Sequence, residues 1–432
     1  MSRNPGEITL EMRLGAAWRV AATVNVADRA AGITSASRVD YDFDYLAEAS
    51  EHLGHRGIRA LSCRMPLGYQ SFDNNRWPAF LLDVMPSGAA RRDWEARLGL
   101  PGTEGYANDV ALLVAGGGHA PGNVRVASAA TEAAEQVSHP GFPRADVLER
   151  AAAFIEYARA SGAPVSGSSG AGGDAPKFLL REDNRGFLHA EGVLADEQTR
   201  RAWLVKFPRT PDLRDKLVLE AEAAYHRVAR RFGARVHGEL VWERDSLFCP
   251  RFDRIVSGGT IEYLGMESLC SLAGVADFGV PIPKEDQARS LAACVTEPVA
   301  ELRELLLRDV LDVALGNTDN HARNTAVLKF PDGRIALSPL YDFAPMFIDP
   351  RGIARTCRWR DGAAFPDWSA VAESMPPLGL SLAEARSWLR SLAPRVRALA
   401  ATMRQEAVPA EIVALCEDGI ARVANDLERV PS

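Results

Sequence analysis

The chain has 432 residues, more than one hydrophobic core usually serves, so two or three subdomains are expected. With 47% apolar residues it should fold, and its net charge of -7 gives no global electrostatic footprint for nucleic acid, leaving room only for a local basic patch. No apolar run approaches the roughly 18 residues of a membrane span, and the opening "MSRNPGEITLEMR" lacks a signal peptide's apolar core. Six cysteines without a CxxC pair argue against zinc. A cytoplasmic protein with no membrane partner is expected.

In chain order, the opening segment suggests short strands, "RVAATVNV" and "RVDYDFDYL", and then an amphipathic helix around "PSGAARRDWEARLG". "RADVLERAAAFIEYARA" reads as one helix, interrupted by the glycine-rich stretch "ARASGAPVSGSSGAGGDAPK" from Ala158 to Lys177. "KFLLREDNRGFLHAEG" gives two short strands about a turn at Asn184 to Gly186, and "AWLVKFP" an apolar strand carrying Lys206. The segment "TPDLRDKLVLEAEAAYHRVARRFG" places Leu217, Ala221, Ala224, Val228 and Phe232 at helical spacing, with a proline near its start and Gly233 at its end. "GELVWERDSLFCPRFDRI" reads as another strand pair. From about Tyr263 the pattern turns helical and reaches "VAELRELLLRDVLDVALGN", with Val299, Leu302, Leu306, Val310 and Val313 on one face. Then come "GNTDNHARN", a hairpin "TAVLKFPDGRIALSPL" turning at Pro331 to Gly333, and "YDFAPM".

The polar stretch after that helix is where the chemistry concentrates. Asp319 lies five positions before Asn324, the D-x-x-x-x-N spacing of a kinase catalytic loop, in which the Asp accepts the proton of the attacking hydroxyl and the Asn ligates magnesium. Asp342 follows Asn324 by eighteen residues, across one hairpin, where a kinase needs a second carboxylate on the metal. His321 is expected to orient the loop, since Asp319 already fills the base role. Upstream, the glycine-rich loop Gly167 to Gly173, with Gly170, Gly172 and Gly173, could bring backbone N–H groups to phosphates because no Cβ obstructs the approach. Lys206 could reach the α and β phosphates, Glu222 on the next helix could pair with it, and Glu220 competes for that role. The segment through Pro250 and Phe252 would be the hinge that reads adenine by its backbone. ATP and magnesium are therefore the expected cofactors, and the fold class expected is α+β, a bilobal protein-kinase-like fold. Its expected parts are an N-terminal α+β subdomain over 1–135, a mixed β-rich ATP lobe over 136–254 and a mostly helical catalytic lobe over 255–432.

"GNTDNHARN", "LSPLYDFAP", "WLVKFP", "RFDR" and "GGDAPKFLL" resemble the HipA family of serine/threonine kinases, the toxins of bacterial toxin–antitoxin systems. "YDFDYL" and "AFLLDVMPSGAARR" look like that family's N-terminal subdomain, so the resemblance runs over most of the chain. It implies Asp319 as catalytic base, Asn324 and Asp342 as magnesium ligands, Lys206 as the phosphate-binding lysine, and Gly173 to Lys177 as part of the phosphate loop. It further implies a protein substrate with a Ser or Thr acceptor, a translation component such as an aminoacyl-tRNA synthetase being the favoured class. Departures exist. Pro250 stands where many members carry a Glu before "RFDR", and "LGMESL" at Leu264 to Leu269 replaces the usual acidic "HQED"-type element, which resembles the stand-alone YjjJ-like branch. The family's autophosphorylated serine aligns here with Gly170 or Gly172, and Ser166, Ser168 and Ser169 are nearby substitutes.

Two other functions fit parts of the sequence. Aminoglycoside and choline kinases use a similar Asp/Asn/Asp arrangement on a small cationic acceptor. A catalytically silent nucleotide-binding regulator would bind a partner or DNA, with the basic run "DPRGIARTCRWRD", holding Arg351, Arg355, Arg358 and Arg360, as its contact; an ordinary solvated surface is the simpler expectation for that run. A small helix-turn-helix antitoxin is a possible partner, which would make any nucleic-acid contact indirect.

Overall fold

A computed structural model describes residues 7–102, 105–130, 140–150, 152–160 and 175–432. The chain divides into two compact units, the first formed by 1–206, 250–280 and 328–334, the second by 207–249, 281–327 and 335–432.

The first unit opens with β1 (Glu7–Leu14) and β2 (Ala17–Val26), an antiparallel pair joined through Gly15, whose φ of 58° suits glycine in so tight a connection. Ile8, Leu10 and Met12 alternate inward along β1, which is how a half-buried strand reads, although the polar opening of the sequence masks that pattern. β3 (Ser37–Tyr41), β4 (Phe72–Asn74) and β5 (Val124–Val126) complete a sheet of order β4-β3-β2-β1-β5. "RVDYDFDYL" is only partly strand. Asp42 accepts a hydrogen bond from the Tyr45 amide and starts α1 (Phe43–Glu48), because a side-chain oxygen at that position satisfies an orphan N–H of the first turn. α2 (Gly88–Arg97) and α3 (Asp109–Gly116) follow.

The single helix expected over "RADVLERAAAFIEYARA" is two, α4 (Arg144–Leu148) and α5 (Ala152–Ala160), and Arg150 sits between them at φ 52°, where an α-helix cannot continue. β6 (Lys177–Asp183), β7 (Leu188–Ala190) and β8 (Thr199–Lys206) then form antiparallel pairs on either side of β6. A hairpin of Arg254–Ser257 with Thr260–Tyr263 turns at Gly258 and Gly259, both at positive φ, as a two-residue hairpin turn demands.

The second unit is mostly helical. α6 (Leu213–Phe232) is capped by Asp212, whose carboxylate accepts from the Arg214 amide, and ends at Gly233, φ 104°, with the Ala234 amide returning to the Ala229 carbonyl. A short hairpin pairs Val241–Glu243 with Ser246–Pro250. α7 (Lys284–Ala292) precedes α8 (Pro298–Ala314), which has proline in its first turn and buries Leu302, Leu306, Val310 and Val313. β9 (Ala326–Lys329) and β10 (Ile335–Leu337) form the expected hairpin, closed by the Ser338 amide on the Ala326 carbonyl. α9 (Trp368–Glu373), α10 (Leu382–Arg397), α11 (Leu399–Gln405) and α12 (Ala410–Glu428) end the chain, α10 opening with a Ser381/Glu384 capping box. Among the described residues no helix is long and apolar enough to cross a membrane.

Candidate active site

The polar loop is built on the end of α8. Gly316 adopts φ 69°, and the Asn317 amide reaches back to the Asp312 carbonyl at 3.0 Å, the backbone signature of a glycine-terminated helix. A Cβ at Gly316 would lie 2.4 Å from the Phe347 ring, so the glycine is required by space as well as by conformation. Past it, side chains supply the hydrogen bonds that regular structure no longer provides. Asn317 Nδ2 donates to Asp312 Oδ1 at 2.8 Å, Asn320 Nδ2 to the Cys357 carbonyl at 3.1 Å, and Asn324 Nδ2 to the Asp319 carbonyl at 2.8 Å. Asp319 and Asn324 are both buried, and His321 Nε2 lies 3.5 Å from Asp319 Oδ1.

Asp342 comes back to this loop from the far side of the hairpin. It stands at φ 50°, a left-handed conformation that Asp tolerates better than most residues, and such strain concentrates at functional positions. On one side of it, Tyr341 donates to the Arg323 carbonyl at 2.7 Å. On the other, Phe343 packs against Tyr225 of α6 with ring centroids 5.4 Å apart, and the Tyr225 hydroxyl donates to the Leu315 carbonyl at 3.0 Å. α6, the end of α8 and the Asp342 segment are thereby one framework.

In the first unit, Lys177 on β6 is the direct cross-strand partner of Lys206 on β8, and both are buried. Residues so paired point to the same face of the sheet. On α6 of the second unit Glu222 is buried whereas Glu220 is exposed, which separates the two acidic candidates by environment. Pro250 and Phe252 are half-buried. Gly170, Gly172, Gly173, Ser166, Ser168 and Ser169 lie outside the described residues.

Several functional neighbours carry no local sequence signal. Buried Asp309 on α8 receives Arg355 at 2.6 Å, Lys284 at 3.2 Å and the Trp359 indole N–H at 2.7 Å. Burial opposes its ionisation, but Arg355 and Lys284 prevail and hold the carboxyl below its ordinary range. Arg355 also donates to the Cys357 carbonyl that Asn320 uses, so this ion cluster braces the polar loop. The solvated basic run expected over "DPRGIARTCRWRD" is therefore corrected in part. Arg355 and Trp359 are internal, drawn in because Asp309 cannot stay charged in the core without them. Asp312, one turn further along α8, is pushed up to about 6 by burial, with Lys284 opposing and Asp309 adding to the rise. In the first unit, Glu267 of "LGMESL" is likewise internal, paired with Lys329 at 2.9 Å and accepting from the Cys63 amide at 2.8 Å.

The donor set suits a hard cation. Among the described residues there is no group of three or more His, Cys, Asp and Glu that could hold a metal ion. The Asn324 bond to Asp319 employs the amide nitrogen, and oxygen is the atom magnesium takes. Three further buried oxygens of the loop, Asn317 Oδ1, Thr318 Oγ1 and Asn320 Oδ1, lack any hydrogen-bond partner, and such orphans call for a cation or water.

These elements define a mixed α+β protein of kinase-like fold. The overall likeness is to HipA in the Shewanella oneidensis toxin–antitoxin complex of HipA, HipB and operator DNA, at TM-score 0.64 and 19% identity over 98% of this chain and 100% of that one. The chain belongs to the HipA family: residues 169–408 match the HipA-like C-terminal domain and residues 22–127 the HipA N-terminal domain. The Helicobacter pylori proinflammatory kinase CtkA matches at TM-score 0.36 and 13% identity, over 60% of this chain and 93% of that one. No curated protein matches in sequence.

Proposed function

We propose that the chain is an ATP- and magnesium-dependent serine/threonine protein kinase of the HipA type. The observation that carries the reading is the 2.8 Å bond from Asn324 Nδ2 to the Asp319 carbonyl, which joins the two loop residues a phosphoryl-transfer site needs. In this reading the Asp319 carboxylate accepts the proton of the acceptor hydroxyl as its oxygen bonds to the γ-phosphorus, and the bond to the bridging oxygen breaks to release ADP. His321 orients the loop, Lys177 and Lys206 hold phosphate oxygens, and Glu222 is the carboxylate this reading assigns to Lys206. Asn324 and Asp342 are the magnesium ligands, and the ion when bound supplies charge that offsets the phosphate oxygens. Pro250 and Phe252 line the adenine end. The HipB-bound state of the Shewanella HipA supports a small helix-turn-helix antitoxin as partner, with any DNA contact made through it. A translation component is the substrate class the family resemblance implies.

The test is transfer of label from γ-labelled ATP with magnesium, by the protein alone and in cell lysate, beside Asp319→Asn and Asp342→Asn. A labelled lysate protein, or self-labelling, should fall by about a thousandfold or more in both variants, because positioning and electrostatics supply nearly all the catalysis. Undiminished transfer in either variant refutes the assignment. Phosphopeptide mapping that finds Ser166, Ser168 and Ser169 unmodified removes them as the self-labelled sites.

A further inference from the structure

Within the first unit, away from the residues discussed above, lies a cavity of about 290 Å³, close to the range of small-ligand sites. Its wall includes four guanidinium groups, Arg13, Arg125, Arg181 and Arg254, but only two carboxylates, Glu191 and Asp196. Arg125 is balanced by Glu11 at 2.7 Å. The others are not so evenly matched. Arg181 donates to Glu191 at 2.9 Å and to Asp196 at 3.2 Å, and Arg13 shares that Asp196. Behind the wall, Arg251 takes Glu191 at 2.9 Å and both oxygens of Asp253 at 2.6 and 2.9 Å, and Arg254 shares Asp253 at 2.7 Å. Four guanidinium groups, Arg13, Arg181, Arg251 and Arg254, thus divide three carboxylates, Glu191, Asp196 and Asp253.

Arg254 is buried and shares Asp253 with Arg251, while its Nε has no hydrogen-bond partner and lies 3.8 Å from a Glu191 oxygen. Burial and the neighbouring Arg251 depress its affinity for a proton. Four guanidinium groups over three carboxylates leave this cluster one positive charge in excess, and buried positive charge in excess beside a cavity favours an anion there. His119 also lines the space, neutral because burial holds it down to about 4, and therefore able to donate one hydrogen bond without adding charge. The rest of the wall is aliphatic, with Val124, Val193 and Leu194, and carries two aromatic rings, Trp18 and Tyr263. The Arg254 and Arg13 guanidinium groups lie 3.6 and 4.4 Å from the Tyr263 ring centre, and Trp18 stands edge-on to that ring at 5.7 Å, so the ring helps hold both arginines at the wall.

We propose that this cavity binds a small phosphate monoester, its phosphate oxygens taken by Arg254 and Arg13 and its apolar body set against Val124, Val193 and Leu194. The site is separate from the lysine pair assigned to ATP and does not depend on that assignment.

Phenyl phosphate, inorganic phosphate, benzoate and sodium chloride serve as probes against the full chain, read by thermal shift and titration calorimetry. Phenyl phosphate should raise the melting temperature in a saturable way and inorganic phosphate more weakly. Arg254→Gln should weaken phenyl phosphate by about tenfold or more, the loss expected for a charge-assisted hydrogen bond. Arg13→Gln, at the other phosphate contact, should weaken it comparably and keeps the test open where Arg254→Gln does not fold. Lys206→Met should leave it unchanged. The proposal is overturned if chloride stabilises as well as phenyl phosphate does, if both arginine variants bind like the wild type, or if Lys206→Met abolishes binding. Benzoate binding as tightly as phenyl phosphate would overturn the choice of phosphate over carboxylate.

Discussion

Tyr341 donates its hydroxyl to the Arg323 carbonyl at 2.7 Å, so the residue before Asp342 is tied to the residue before Asn324. The two proposed magnesium ligands lie on segments separated by a hairpin, and this bond fixes their separation independently of any ion. Tyr341→Phe removes only the hydroxyl. Stability should fall by about 1 kcal/mol, as for one hydrogen bond. Phosphoryl transfer should fall further, by about tenfold or more, because small misplacements at a reacting centre are costly. Turnover and urea midpoint measured on the same preparation decide it: equal fractional effects would make Tyr341 a structural residue only.

The buried pair Lys177 and Lys206 gives a second test. If a nucleotide's phosphates lie against these two lysines, Lys177→Met and Lys206→Met should each weaken ATP by about tenfold to a hundredfold, since each removes charge-assisted hydrogen bonds. ATP-dependent thermal stabilisation is the readout. Stabilisation by ATP that persists in both variants would place the phosphates elsewhere.

What the sequence conveyed, and what it withheld, follows from range. The D-x-x-x-x-N spacing, the hairpin before Asp342 and the lysine strand are local patterns, visible because each element carries its own periodicity. The cross-strand meeting of Lys177 with Lys206 depends on register, and no residue near Lys177 announces it. Asp309 with Arg355, and Glu191 with Arg181 and Arg251, are contacts made across folded distance; in the sequence they are ordinary charges. The break at Arg150 and the strand-to-helix change at Asp42 were hidden because one backbone torsion or one capping carboxylate decides each.

Arg355 and Arg360, five residues apart in one basic run, should behave oppositely. Arg355→Met leaves Asp309 buried with only Lys284 and Trp359, and breaking such a pair costs about 3–5 kcal/mol. Arg360 reaches Asp286 on the surface, where an exposed pair contributes at most about 1 kcal/mol, so Arg360→Gln should be nearly silent. Denaturant midpoints of the two variants make the comparison, and similar midpoints would mean that Arg355 is not internal in solution.

The pH dependence of stability separates two opposed effects. Asp312 has its folded pKa raised to about 6, above its ordinary range, so between about 4 and 6 the folded chain holds a proton that the unfolded chain has lost. Its contribution to stability therefore falls as pH rises through that window. His119 and His226 are held down to about 4 by burial, so the unfolded chain binds the extra protons and their contribution rises with pH from about 4 to 6.5. In the wild type these slopes partly cancel. Asp312→Asn keeps an oxygen for the Asn317 amide while removing the ionisable group. It should be more stable than the wild type at neutral pH, by up to about 3 kcal/mol for a shift of about two units. It should also show a steeper loss of stability on acidification, with the histidine contribution no longer offset. Urea denaturation at intervals from pH 4 to 7 distinguishes the cases: parallel curves for the two proteins would mean that Asp312 titrates normally and that the polar loop does not rest on a strained carboxyl.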